Sequence, residues 1–200
     1  MLVKKIVKTL LISIISLFFT VNSFSLEPKE FVQQTVDDAA RALDQSLSQD
    51  LKITKLKTIA KNSVDIRGIG FYSLGKYRKT ISDQKKKEYL DIFTKYFLKS
   101  FSSRLAQYSD PKIIVNSQKK LNDKYTMVSS VLIATNDKPE VKIEWRVITK
   151  DPDNPLIIDL IIEGVSLAKV QKEEFYSIMQ SNDGDINALF KNLKEFVERK

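Results

Sequence analysis

Asp159 and Glu163 lie four residues apart in an apolar, strand-like run, and paired carboxylates are the groups a glycoside hydrolase uses as acid and base. Same-face neighbours on a strand are about 7 Å apart, so this pair spans about 13 Å. That exceeds the roughly 5–10 Å that either glycosidase geometry requires. The pair therefore reads as part of a polar sheet face beside Lys142, Glu144 and Arg146. Serines are plentiful, but none sits in a G-x-S-x-G elbow and none has a visible base. There is no glycine-rich phosphate loop and no acidic loop of EF-hand spacing. The 200 residues include no histidine and no cysteine. Ser-His-Asp triads, cysteine nucleophiles, thiolate zinc sites, iron–sulfur clusters and disulfides are thereby excluded. The residue inventory predicts no catalytic residue, no metal and no cofactor.

The elements that carry these residues are legible from apolar spacing. Pro28 to about Ser48 predicts a helix with Val32, Val36, Ala39, Leu43 and Leu47 on one face. Lys52 to about Val64 predicts a second. A short third carries Ile66, Ile69, Phe71, Leu74 and Tyr77, with Gly68, Gly70 and Gly75 in it or at its end. Ser82 is the expected N-cap of the longest helix, which runs to about Tyr108 and stops at Asp110-Pro111. The period then shortens to two. Strands are expected over Ile113–Ser117, Tyr125–Thr135, Val141–Ile148 and Leu156–Val165, with Leu156, Ile158, Leu160 and Ile162 sharing a face in the last. Their short Asn-, Asp- and Pro-rich connections join sequential antiparallel strands. Two helices follow, about Leu167–Gln180 and Ile186–Glu198, separated by Asp183-Gly184-Asp185. Segregated helices and strands define an α+β domain: a four-stranded antiparallel meander packed against several helices.

Residues 1–25 have the form of a cleaved signal peptide. Lys4, Lys5 and Lys8 precede an apolar block from Leu10 to Val21, and small residues flank Phe24 at Ser23 and Ser25. The block is short for a membrane span. Export with cleavage after Ser25 is therefore expected, leaving a single domain over 26–200. That removes three of the 33 basic residues and none of the 25 acidic ones, lowering the net charge from +8 to +5. Export also makes nucleic acid an unsuitable partner. The basic charge is concentrated between Lys52 and Lys112, which hold 15 bases and 5 acids, with its densest point at Lys85-Lys86-Lys87. A lone lysine run is usually a solvated face, but a whole basic segment favours docking to an anionic surface.

The long helix carries an aromatic stripe that includes Tyr89, Phe93, Tyr96, Phe97 and Phe101. The sheet offers an opposing set of Ile143, Trp145, Val147, Leu160 and Ile162. Such surfaces form either an ordinary core or two walls of an apolar cavity, and spacing alone leaves both open.

Two blocks of sequence resemble a known family. The first contains LGKY (Leu74–Tyr77), followed by a helix start and Gln84. The second contains EWR (Glu144–Arg146) and the run IIDLIIEGVS from Ile157 to Ser166. In this order and after a signal peptide, they resemble the MlaC family of periplasmic phospholipid-binding proteins, also called toluene-tolerance auxiliary proteins. The resemblance spans essentially the whole chain. It implies a monomeric carrier that shuttles phospholipid between an outer-membrane lipoprotein–porin complex and an inner-membrane ABC transporter with a substrate-binding ring. The process maintains outer-membrane lipid asymmetry, and phospholipid is cargo rather than cofactor.

On that reading Leu74, Tyr77, Phe93, Phe97, Trp145, Val147, Leu160, Ile162 and Val165 are the expected cavity lining, and Lys85, Lys86 and Lys87 the expected docking cluster. Two other classes compete with it: an enzyme of the cone-shaped, NTF2-like type, and a periplasmic subunit that binds only protein.

Overall fold

The computed structural model describes residues 26–108, 110–134 and 139–199. The expected signal peptide and the last predicted residue of the second strand, Thr135, lie outside the described residues.

Helix α1 (Pro28–Ala42) has proline in its first turn and Glu30 near the positive end of its dipole. It is shorter than its apolar spacing predicts. At its end the Asp44 carboxylate accepts from the Ser46 backbone N–H at 2.8 Å and from the Ser46 hydroxyl. That local turn competes with helix continuation, so Leu47 never joins the stripe. Helix α2 (Gln49–Ser63) is capped by Ser48. Helix α3 (Ile66–Ser73) is capped by Asp65, which accepts from Gly68 N at 2.8 Å. The predicted third helix divides here: Gly75 takes φ +55°, and a 3-10 turn covers Gly75–Lys79. Glycine adopts that left-handed geometry without steric cost. Helix α4 (Asp83–Leu105) starts at the expected Ser82 cap, which accepts from Lys85 N at 3.3 Å.

Five strands follow: β1 (Ile113–Asn122), β2 (Tyr125–Leu132), β3 (Val141–Ile148), β4 (Leu156–Ile162) and β5 (Val165–Ser166). Their order is sequential and their pairing antiparallel, so the expected meander is present with a two-residue fifth strand added. Strand β1 absorbs most of the predicted loop at 119–124. Its Lys119 and Lys120 are exposed on an edge strand, where lysine is favoured. The turn is tightened by the Asn122 carboxamide oxygen, which accepts from Lys124 N and Tyr125 N. Glu163 (φ +49°) and Gly164 (φ +81°) form the two-residue connection from β4 to β5, the geometry of a type I′ hairpin. Helix α5 (Leu167–Gln180) is capped by Ser166 and α6 (Ile186–Glu198) by Asp185.

The face expected for β4 needs one correction. Arg146 pairs with Asp159 but Val147 pairs with Ile157, so Ile158 is an extra residue. A bulge of this kind turns every residue before it to the other face. Ile157, not Ile158, therefore joins Leu160 on the inner face, and it is buried.

Apolar side chains form separate clusters. The largest joins α3, α4, α5 and α6 around Tyr89, Phe93, Phe175, Met179, Leu189 and Leu193. A second packs Phe31, Val32 and Val36 of α1 on Val115, Val128, Val147 and Ile157 of the sheet. A small third one holds Ala42, Leu43, Leu56 and Ala106. Each fully buried large side chain contributes about 1.5–3 kcal/mol.

Candidate functional site

The structure divides seven of the nine predicted cavity residues between two of these clusters and leaves Ile162 and Val165 outside both. Leu74 and Phe93 are buried within the helical cluster, and Tyr77 and Phe97 lie at its half-buried margin. Val147 is buried in the sheet cluster, with Trp145 and Leu160 at its margin. Trp145 and Leu160 are direct partners across β3 and β4, and Ile162 pairs with the buried Ile143. Val165 is 53% exposed on β5.

The two walls do not face each other as the sequence predicts. The aromatic stripe of α4 packs chiefly on α5 and α6. Tyr89 stacks on Phe190 with ring centroids 6.0 Å apart, Tyr96 meets Phe196 at 4.9 Å, and Phe93 meets Phe175 edge-on at 6.1 Å. The inner face of the sheet is instead covered by α1. Sequence reasoning missed Phe31 and Ile157, although the expected α1 stripe already contained Val32 and Val36. The signal for Phe31 was its position one residue before Val32, at the edge of that stripe.

The helical and sheet halves meet along a seam. Val64 lies at the margin of both clusters. Its backbone forms a parallel bridge with Ile157, and Asp65 N donates to Ile157 O at 3.0 Å. Each cluster keeps partly buried apolar side chains at its margin. Phe97 stacks nearly parallel on Phe101, centroids 5.9 Å apart, at the margin of the helical cluster, and Phe101 also packs on the third cluster. Trp145 is held on the sheet side by its indole N–H, which donates to Ser130 Oγ at 2.8 Å. Ser130 is fully buried, so this ring is fixed while its outer part stays accessible.

The polar groups near the seam are structural. Asp159 is 4% exposed and does not form the solvated face expected of it. Its carboxylate accepts from the Ser166 hydroxyl at 2.7 Å, Ala168 N at 3.0 Å and Arg146 Nη1 at 3.3 Å. Glu163 sits in the β4–β5 turn and accepts from the backbone N–H of Lys142. Burial pushes the Tyr89 hydroxyl well above the usual tyrosine range, and the neighbouring Tyr96 adds to it. The Tyr89 hydroxyl donates to Gly70 O at 3.0 Å. Among the described residues no group of His, Cys, Asp and Glu is arranged to hold a metal ion.

Two surface concavities have volumes of about 330 and 270 Å³. One lies between α4 and α6 beside Glu88 and Lys194, and the other between α1 and α2 beside Thr35 and Asn62. Neither includes a predicted lining residue. The predicted docking lysines are partly engaged within the fold. Lys85 donates to Asn187 Oδ1 and lies over the Phe190 ring, and Lys86 pairs with Asp83 at 2.8 Å. Lys87 is exposed.

An antiparallel meander with helices packed on it in separate apolar clusters defines an α+β domain. Residues 30–195 match the family model described as MlaC protein, and the chain belongs to that family. Its fold is similar to that of a phospholipid-binding protein from Ralstonia solanacearum solved in complex with a phospholipid. The TM-score is 0.68 at 19% identity, covering 84% of this chain and 96% of that one. Among the described residues no helix is long and apolar enough to cross a membrane.

Proposed function

We propose that this chain is a periplasmic phospholipid carrier without a catalytic step. Family membership and the phospholipid bound by the Ralstonia protein of similar fold support the reading. The observation that carries it in this chain is the seam: two apolar clusters joined at Val64 and Ile157, with Phe97, Trp145 and Leu160 half-buried along their margins.

Membrane anchoring by an acyl chain is worth about 0.8 kcal/mol per buried CH₂, so a carrier must shield both tails from water. In this proposal the tails lie in the seam and the headgroup stays in solvent. Phe97, Trp145, Leu160 and Ile162 meet the tails first. Leu74, Tyr77, Phe93 and Val147 line the space as the halves part, and Val165 stands at the lip. Lys85, Lys86 and Lys87 contribute to docking through the field of the basic segment. The partners are an inner-membrane ABC transporter with a substrate-binding ring and an outer-membrane lipoprotein–porin complex. The amino-terminal segment directs export and is removed, and the carrier works as a monomer.

The test is organic extraction and mass spectrometry of protein purified without detergent. About one diacyl phospholipid per chain is expected. Protein that is lipid-free and takes up none from vesicles would overturn the proposal.

A further inference from the structure

Four serines are buried among the described residues, and one of them differs from the rest. Ser63, Ser73 and Ser102 each turn the hydroxyl back along their own helix, donating to Ile59 O at 2.8 Å, Ile69 O at 2.8 Å and Leu98 O at 2.6 Å. A serine inside a helix commonly disposes of its donor in this way. Ser130 lies on β2 with no exposure and serves a second side chain. Its Oγ donates to Ile143 O at 3.3 Å across the strand pair and accepts the indole N–H of Trp145 at 2.8 Å.

The register accounts for the reach. Ser130 pairs with Ile143 and Val128 pairs with Trp145, so Ser130 and Trp145 are diagonal neighbours on the inner face. Diagonal neighbours on adjacent strands lie about 7–8 Å apart, a span that an aromatic side chain covers. The direct partners of Trp145 are apolar on both sides: Val128, fully buried, on β2 and Leu160 on β4.

A half-buried indole has no need of a buried acceptor, because water can take its N–H. In this fold the ring's one polar atom is directed into the sheet instead, and the rest of the ring is hydrocarbon. A hydroxyl within an apolar cluster is itself unfavourable unless it is bonded. Ser130 is therefore matched to Trp145 and not to the cluster that surrounds it.

We infer that Ser130 is a positioning residue for cargo: it holds the Trp145 ring as a fixed hydrocarbon surface against which an acyl tail lies. The inference rests on the carrier reading and adds to it the group that sets the ring. A ring free to turn must be ordered each time a lipid enters, and that ordering weakens binding. Tying the indole N–H to Ser130 in advance removes the cost.

Trp145 is the one tryptophan in the chain, so its emission reports this ring alone. The experiment loads the purified protein with phosphatidylglycerol, plain or brominated on the acyl chains, and reads tryptophan emission. Lipid content is read separately by mass spectrometry, and release is followed into acceptor vesicles. Brominated lipid should quench the wild-type emission. Ser130→Ala should keep the fold by far-UV circular dichroism, reduce the quenching, and speed release about threefold to tenfold, the worth of one hydrogen bond. Ser130→Thr keeps the acceptor and should bring both readings back toward wild type. Ser102→Ala removes an equally buried hydroxyl bonded within its own helix and should change neither. Trp145→Phe needs no acceptor, so adding Ser130→Ala to it should not speed release further. Brominated lipid that is carried without quenching places the ring away from the tails, which overturns the inference and leaves the carrier reading intact. Wild-type quenching and release in Ser130→Ala, or equal changes in Ser102→Ala, would make the hydroxyl a packing group and overturn it as well. Protein that neither holds nor takes up lipid removes the carrier reading, and a Ser130→Ala effect on emission alone would then report only a structural bond.

Discussion

The carboxylate of Asp159 accepts the hydroxyl of Ser166 at 2.7 Å, and Ser166 in turn caps α5 by accepting Lys169 N at 3.1 Å. One strand and one helix are thereby fixed to each other across the β4–β5 hairpin. Asp159 is also bound by Ala168 N and Arg146. The Arg146 side chain is 38% exposed, so its share is screened and small.

Replacing Asp159 with Ala should cost about 1–3 kcal/mol, because it removes the buried acceptor shared by the half-buried Ser166, Ala168 and Arg146 donors. Ser166→Ala should cost about 1–2 kcal/mol through the lost cap and the lost hydroxyl. The double variant should cost less than the sum, since both remove one contact. Urea unfolding of the four proteins measures this. Strict additivity would show that the two side chains act independently.

Gly70 and Gly164 should respond to alanine for opposite reasons. A Cβ on Gly70 would lie 2.8 Å from Cδ1 of Phe93, a ring with no exposure and close neighbours on α5. Gly70→Ala should therefore destabilise by about 1–3 kcal/mol despite its better helix propensity. At Gly164 the space is open, and the cost of about 1–2 kcal/mol comes from φ +81° alone. Gly164→Asn should recover part of that loss, whereas Gly70→Asn should not.

Stability should fall above about pH 10. Tyr89 is neutral in the fold with its hydroxyl pushed well up by burial, and Tyr96 is raised by burial first and by Glu174 second. An unfolded tyrosine ionises near pH 10. The folded chain therefore binds more protons in that range, so the stabilisation is intact below pH 10 and lost as pH rises toward the folded values. Tyr89→Phe keeps Gly70 O bonded to Leu74 N and should make the alkaline loss shallower. Urea midpoints at pH 8 and above pH 10 check it.

Charge substitutions should separate core from lining. Val147 is fully buried in the sheet cluster, so Val147→Asp should unfold the domain. Leu160→Asp and Phe97→Asp lie at half-buried margins and should leave far-UV circular dichroism unchanged while abolishing phospholipid recovery. Normal lipid content in both would move the tails away from the seam.

Reversing Lys85, Lys86 and Lys87 to Glu should slow lipid transfer to partner complexes and flatten its salt dependence. Lipid already bound should remain. Only Lys87 is uncommitted within the fold, so Lys87→Glu alone should give a large part of the effect. Unchanged rates across ionic strength would make the cluster a solvated face.

Local patterns determined the elements well. The shift from a period near 3.6 to a period of two located strand β3 and helices α5 and α6 at their observed bounds, because these segments have one buried stripe or face and strong caps. Ser82 marked the start of α4 for the same reason. Helix α1 was overextended because Asp44 and Ser46 close a side-chain turn that apolar spacing does not register.

Tertiary structure decided what the elements face. A bulge at Ile158 is invisible in a run as continuously apolar as Leu156–Ile162, yet it decides which residues of β4 face the core. Asp159 was indistinguishable from its polar neighbours until Ser166 and Ala168 came within hydrogen-bond reach and made its burial affordable. The aromatic stripe of α4 was legible as apolar, but periodicity carries no information about partners. Only packing assigned it to α5 and α6, gave the sheet to α1, and left the seam between them. Sequence alone fixed the absence of histidine and cysteine, and with it the chemistry this chain lacks. The apolar seam depends on long-range packing of residues far apart in the chain, and no local pattern encodes that.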